Sequence, residues 1–163
     1  MFAMLGTVMF LSKIVMEWAP NIHLLAMLTV SYTVVYRKKA LIPIYIFVFL
    51  VGLIAGFSTW WIPYLYLWLV PWGVAMLLPK NMSSKIAVPV YMAVCALHGL
   101  FYGVLYAPFQ AVVFGLNLQG IIAWIIAGLP FDIMHAIGNL AAGSLTVPLI
   151  NLLRRLSAQA HIE

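Results

Sequence analysis

LIPIYIFVFLVGLIAGFS, residues 41–58, runs without a single charged side chain and follows directly on Arg37, Lys38 and Lys39. Its apolar residues are continuous rather than alternating, and their number approaches the roughly 20 that carry a helix across a bilayer. A half-buried strand would read apolar and polar in turn, which this stretch does not. Similar runs occupy 1–18, 22–36, 63–79, 86–106 and 130–153, predicting six helices. The second is short, which suits a helix that begins late in the membrane beside a polar cavity. Pro20, Pro63, Pro79, Pro108 and Pro130 mark predicted ends, while Pro71, Pro89 and Pro148 predict kinks within spans.

The whole chain agrees with this reading. Of its 163 residues 66% are hydrophobic and 7% charged, with a mean hydropathy of +1.13, and a soluble core cannot hide that much apolar surface. Hydrocarbon also requires every lipid-facing backbone group to be paired internally, which leaves helices or closed barrels. Continuous runs favour helices over the barrel. The predicted class is an all-α integral membrane protein, a six-helix bundle forming one domain over 1–163. The first run lacks a basic leader and carries Lys13 and Glu17, so it reads as a helix of the mature protein and not as a secretory signal.

Orientation follows from the basic residues, because short Lys- and Arg-rich loops stay on the cytoplasmic side. Arg37 to Lys39, Lys80 with Lys85, and Arg154 with Arg155 all follow even-numbered spans. Both termini are therefore expected in the cytoplasm. A seventh crossing over 109–128 breaks this parity and leaves Gln110, Asn117 and Gln119 facing hydrocarbon, at a few kcal/mol each by order of magnitude. That segment is read as an external cap, interfacial or re-entrant, between helices five and six.

The net charge of +5 is too scattered for a nucleic-acid footprint, and no nucleic acid is expected as a partner. The lone Cys95 supports neither a disulfide nor a thiolate metal site. His161 and Glu163 read as a frayed tail.

With topology assigned, the polar residues gather in one half of the membrane. Lys13, Glu17, Asn21 and His23 fall from the middle to the outer end of the first hairpin; Trp60, Trp61 and Tyr64 line the second outer turn; Asp132, His135 and Asn139 descend one face of the last span. An ionisable group inside a span costs roughly 2.5–3.5 kcal/mol, so such groups face the bundle interior or a hydrated path. Mutual neutralisation is the simplest arrangement, with Lys13 between Glu17 and Asp132 and with His135 and Asn139 completing a polar floor. Two plainer accounts stand beside it: a charge pair that only locks two helices, and an interfacial aromatic belt. A metal site on Asp132 and His135 with His23 or His98 is a further alternative. No helix carries a two-His or His-Glu-x-x-His pattern, so no metal and no cofactor are expected, and His98 reads as structural. Ala3 with Thr7, Gly52 with Gly56, Gly99 with Gly103, and Gly138 with Ala142 are spaced four apart, as in closely approaching helices.

The chain resembles the S components of energy-coupling factor (ECF) transporters, the membrane subunits that capture vitamins and related micronutrients. The resemblance spans essentially the whole chain and rests on SKIVMEWAPNIHLLA (12–26), WWIPYLYLWLVPWGVAMLLPKNM (60–82) and GLNLQGIIAWIIAGLPFDIMHAIGN (115–139). It implies a multi-pass protein of a prokaryotic plasma membrane that binds a small water-soluble solute from outside. It also implies partners: a transmembrane coupling subunit, against which the S component topples, and two ATPase subunits. No phosphate-binding G-x-x-x-x-G-K-[ST] loop is present, in keeping with ATP hydrolysis elsewhere. The family's small-residue docking face on the first helix maps to Ala3 and Thr7 with Gly6 beside them. Its outer-half pocket maps to Lys13, Glu17, Asn21, His23, Trp60, Trp61, Tyr64, Asp132, His135 and Asn139. The alternatives are an intramembrane enzyme using Asp132 and His135 as acid and base, and a self-contained secondary transporter.

Overall fold

A computed structural model describes residues 1–159, so His161 and Glu163 lie outside the described residues. Among those residues the regular structure is entirely helical. The helices are α1 (Phe2–Val15), α2 (Leu25–Tyr36), α3 (Leu41–Ala55), α4 (Tyr64–Leu67), α5 (Leu69–Leu77), α6 (Ser84–Leu100), α7 (Tyr102–Phe114), α8 (Leu118–Gly143) and α9 (Thr146–Gln159), with short 3-10 turns at Arg37–Ala40 and Thr59–Trp61. Four helical stretches are long and apolar enough to cross a membrane: Leu25–Ala55, Thr59–Leu77, Ser84–Phe114 and Leu118–Gly143. The first bends at Arg37, whose φ of 54° separates α2 from α3. The exterior is apolar, with Phe49, Leu53, Ile54, Val112, Phe114 and Ile126 all exposed. Lipid solvates such a surface and water does not.

Helix α2 is the centre of the bundle. Every residue from Leu25 to Val34 is buried, and α1, α5, α6, α8 and α9 pack around it. A helix apolar on all sides belongs in such a position. Its 12 residues rise only about 18 Å, short of the ~30 Å hydrocarbon core. The chain from Met16 to Leu24 precedes it as a series of turns, and the second helix is short, as its run predicted.

The segment read as an external cap has a defined form. Segment 109–128 is the tip of a helical hairpin: α7 continues to Phe114, the chain turns at Gly115 (φ 63°), and the Asn117 side chain caps α8 by accepting from the Gly120 N–H at 2.9 Å. The prolines misled here, because Pro108 and Pro130, read as ends, lie inside α7 and α8. A proline costs one backbone hydrogen bond and clashes with the preceding turn, yet a helix held by tertiary packing passes through it. Asn117 is used as a cap, and the break between α7 and α8 means that 109–128 is not one continuous helix. Together α6 and α7 cover Ser84–Phe114 with one bend, roughly 46 Å of rise, and reach beyond a single hydrocarbon thickness. The predicted sixth span over 130–153 straddles the break at Ser144 and Leu145 between α8 and α9.

Arg37, Lys39, Lys80 and Arg154 share one end of the bundle, away from Lys13. Arg37 donates to the Ala75 and Met76 carbonyls at the end of α5, and Arg154 donates to the Lys80 carbonyl at 2.7 Å. Arg37, Lys39 and Arg154 line one pocket with Phe2 and Ser157. The beginning of α1 and the end of α9 are therefore neighbours.

Candidate functional site

At the opposite ends of α1 and α2 lie two adjoining cavities, of about 440 Å³ and about 270 Å³. Asn21, Tyr102 and His135 border both, so the two cavities share a wall and form a larger and a smaller lobe. The larger lobe lies between α7 and α8, walled by Tyr102, Tyr106, Trp124 and Phe131 with Asp132 at its side. Lys13, Glu17, His23 and Tyr64 border the smaller.

The loop that connects the lobes is shaped by local hydrogen bonds and one unusual backbone position. Ala19 N–H donates to the Met16 carbonyl at 2.9 Å and Ile22 N–H to the Ala19 carbonyl at 3.1 Å. Asn21 sits at φ 62°, a left-handed conformation that Asn tolerates better than most side chains. This loop brings His23 onto α8, where its Nε2 lies 2.9 Å from His135 Nε2 with the rings nearly perpendicular at 84°. One nitrogen donates and the other accepts, so two imidazolium rings cannot meet in this geometry. Tyr102 stacks beside His135 at 4.9 Å, and Trp68, fully buried, touches His23, Tyr64 and His98 edge-on or tilted.

Asp132 is buried at 6% exposure. Its two carboxylate oxygens share the Gly103 N–H, each at 3.1 Å. A Cβ at Gly103 would stand 2.5 Å from Oδ2, so the absence of a side chain there admits the carboxylate. One turn earlier, a Cβ at Gly99 would lie 2.8 Å from the backbone of His135 and Ala136. The pairs Gly99–His135 and Gly103–Asp132 mark the antiparallel register of α6–α7 against α8.

The predicted pairing of Lys13 with Asp132 does not form. Lys13 Nζ lies 3.4 Å from Glu17 Oε1, in the smaller lobe, and among the described residues no ion pair reaches Asp132. The reason is reach: Lys13 and Glu17 stand one turn apart on the same segment, whereas Asp132 is turned into the other lobe and held by Gly103. The Glu17 side chain is 66% exposed, so the pair is worth little as a helix lock. We expect Lys13→Met to lower stability by less than about 1 kcal/mol in a reversible unfolding titration in mixed micelles; a drop of several kcal/mol would reinstate the charge lock.

The remaining predicted residues divide. Asn21, His23, Tyr64 and His135 border the cavities with Lys13, Glu17 and Asp132. Trp60 and Trp61 border neither. The Trp61 indole N–H donates to the Val48 carbonyl at 2.8 Å and the Trp60 carbonyl accepts from the Tyr106 hydroxyl at 2.6 Å, which stitches the 57–62 turn to α3 and α7. Asn139, fully buried one turn below His135, borders neither lobe, and its amide finds no hydrogen-bond partner among the described residues. On α1, Ala3 and Thr7 are exposed, but Gly6 is buried, where a Cβ would stand 2.6 Å from Ile46. Gly6 therefore belongs to the α1–α3 contact and not to an outward docking face.

The sequence reading missed Tyr102, Tyr106, Gln110, Trp124 and Phe131, which border the larger lobe. Tyr102, Tyr106 and Gln110 are four apart, and that spacing was a visible signal for one helical face. Asp132 and His135 share the cavity without joining: Asp132 is held by Gly103 and His135 by His23. No group of three or more His, Cys, Asp or Glu side chains placed to hold a metal ion occurs among the described residues. Comparison with protein-family models, curated proteins and solved structures finds no match to this chain, and the functional reading rests on the geometry of the two lobes.

Proposed function

We propose that this chain is the substrate-capturing membrane subunit of an ECF-type importer in a prokaryotic plasma membrane. It takes a small water-soluble vitamin or heterocyclic micronutrient from outside and passes it on with a coupling subunit and two ATPase subunits. The observation that carries this reading is the pair of adjoining cavities, with Asp132, His135, Asn21, Lys13 and Glu17 as polar groups among aromatic and aliphatic side chains, set among helices whose outer surface is apolar. Mostly apolar pockets with a few placed polar groups are the usual form of a small-molecule site. The basic end of the bundle, remote from the cavity along α1 and α2, supports a cytoplasmic placement of both termini. The exposed Ala3 and Thr7 offer α1 as the docking face.

In this mechanism the lobes bind and the partners work. Tyr102 and Tyr106 supply ring faces, Asp132 a fixed acceptor, and His135 a ring at the border of both lobes.

Reconstitution separates this from a self-contained transporter. Liposomes holding the chain alone should bind solute without accumulating it, with or without an ion gradient. Liposomes that also hold coupling and ATPase subunits from the same cells should accumulate it only with ATP. Gradient-driven accumulation by the chain alone would overturn the proposal.

A further inference from the structure

We propose that the larger lobe receives the positively charged end of an organic solute, a protonated amine or a quaternary ammonium group, seated against Asp132 in a cavity bordered by aromatic side chains. The inference rests on reading this cavity as the solute site and adds the chemical class of its occupant.

Three observations converge on it. Asp132 is buried, and its only hydrogen bond among the described residues is the Gly103 N–H shared by both oxygens. A carboxylate accepts at about four lone-pair positions, so most of its capacity is left toward the cavity it borders. Lys13, the basic side chain read from the sequence as its partner, is paired with Glu17 in the other lobe, and His135 is engaged by His23. An ionised carboxylate enclosed by helices without a counter-cation is costly, and a cationic ligand removes that cost.

The walls point the same way. Tyr102, Tyr106, Trp124 and Phe131 border the same cavity as the carboxylate, and aromatic ring faces carry negative potential that attracts cations and repels anions. Gln110 and Asn21 add neutral polar groups at the margins. A metal ion is disfavoured, because Asp132 and His135 have no third ligand of that kind beside them among the described residues. A cavity of about 440 Å³ holds a ring and a short side chain, within the size of ordinary small-molecule pockets.

Three probes of one skeleton test this: 2-phenylethylammonium, 2-phenylethanol and phenylacetate at pH 7. Each is measured by equilibrium dialysis against the full chain in nanodiscs, with protein-free nanodiscs as the reference. The ammonium should be retained at least about tenfold more tightly than the alcohol, and the carboxylate least. Asp132→Asn should erase the preference. Trp124→Leu, at a partly exposed position where a fold defect is not expected, should narrow it and serves if Asp132→Asn fails to fold. Equal or better retention of the alcohol or the acid, no retention of any probe, or a preference unchanged in both variants overturns the inference. A neutral or anionic solute bound in this lobe would do so while leaving the importer reading intact, since that reading fails separately if the ATP-driven assembly accumulates nothing.

Discussion

Gly99→Leu should abolish recovery of folded protein. At Gly99 the nearest atoms to an added Cβ are all backbone, the His135 carbonyl carbon and oxygen and the Ala136 nitrogen, each at 2.8 Å. A flexible side chain can swing aside; a helix backbone cannot without moving the helix. Both α6 and α8 are held along most of their length by each other, so a shift at this level also disturbs the Gly103–Asp132 contact and the Gly143–Met92 contact at either side. Inserted volume in a packed core costs about 1–3 kcal/mol and more where nothing can yield, which makes a loss above about 3 kcal/mol the expected result. The measurement is the fraction of detergent-solubilised protein that elutes as a single monodisperse species, with Gly73→Leu as control. A Cβ at Gly73 meets nothing within 4 Å. Wild-type yield and melting temperature for Gly99→Leu would show that the α6–α8 approach is looser than described.

The same pair of glycines shows how far the sequence could be read. Four-residue spacing of Gly99 and Gly103 announced a close helix approach, and the partner turned out to be α8. Continuous apolar runs announced helices, and the short second run announced a short helix; α2 has that form. These features were legible because they are local: a run, a spacing, a length. The pairing of charges was not. Lys13, Glu17 and Asp132 had compatible signs and depths, but which carboxylate Lys13 meets depends on the rotation of α8 about its axis, and the Gly103 N–H fixes that rotation. The hairpin of α7 and α8 was hidden for a similar reason. Pro108 and Pro130 carry strong local signals for helix ends, and they were overridden by packing of α7 against α8 along the antiparallel register. Trp60 and Trp61 were attractive as ring platforms because of their residue type. Their positions depend on the turn after α3, which spends the Trp61 indole on the Val48 carbonyl. The cavity bordered by Tyr102, Tyr106, Trp124 and Phe131 required two helices to be placed face to face, which no single stretch specifies.

Gly103→Ala should leave the bundle folded and remove most of its capacity to bind solute in the larger lobe. Here, unlike at Gly99, the atom nearest to the new Cβ is the end of a side chain, Asp132 Oδ2 at 2.5 Å, followed by Cγ at 3.3 Å. The carboxylate can rotate away, so the helices need not separate and the fold cost stays near that of an ordinary substitution, about 1 kcal/mol. Rotation breaks the hydrogen bonds from the Gly103 N–H and sends the charge out of its position at the side of the cavity. A charged group displaced by an ångström or more from its partner loses most of a desolvated contact, and a tenfold to hundredfold loss of affinity, about 1.4–2.8 kcal/mol, is the expected scale. The informative comparison is with Asp132→Asn, which keeps the side-chain shape and removes the charge. If the carboxylate acts by charge at a fixed place, both variants lose binding and the double variant loses little more, since each removes the same interaction. If Gly103→Ala binds the wild-type solute at wild-type strength while its melting temperature is unchanged, Asp132 does not need the seat that Gly103 provides, and the cavity wall has been assigned the wrong role.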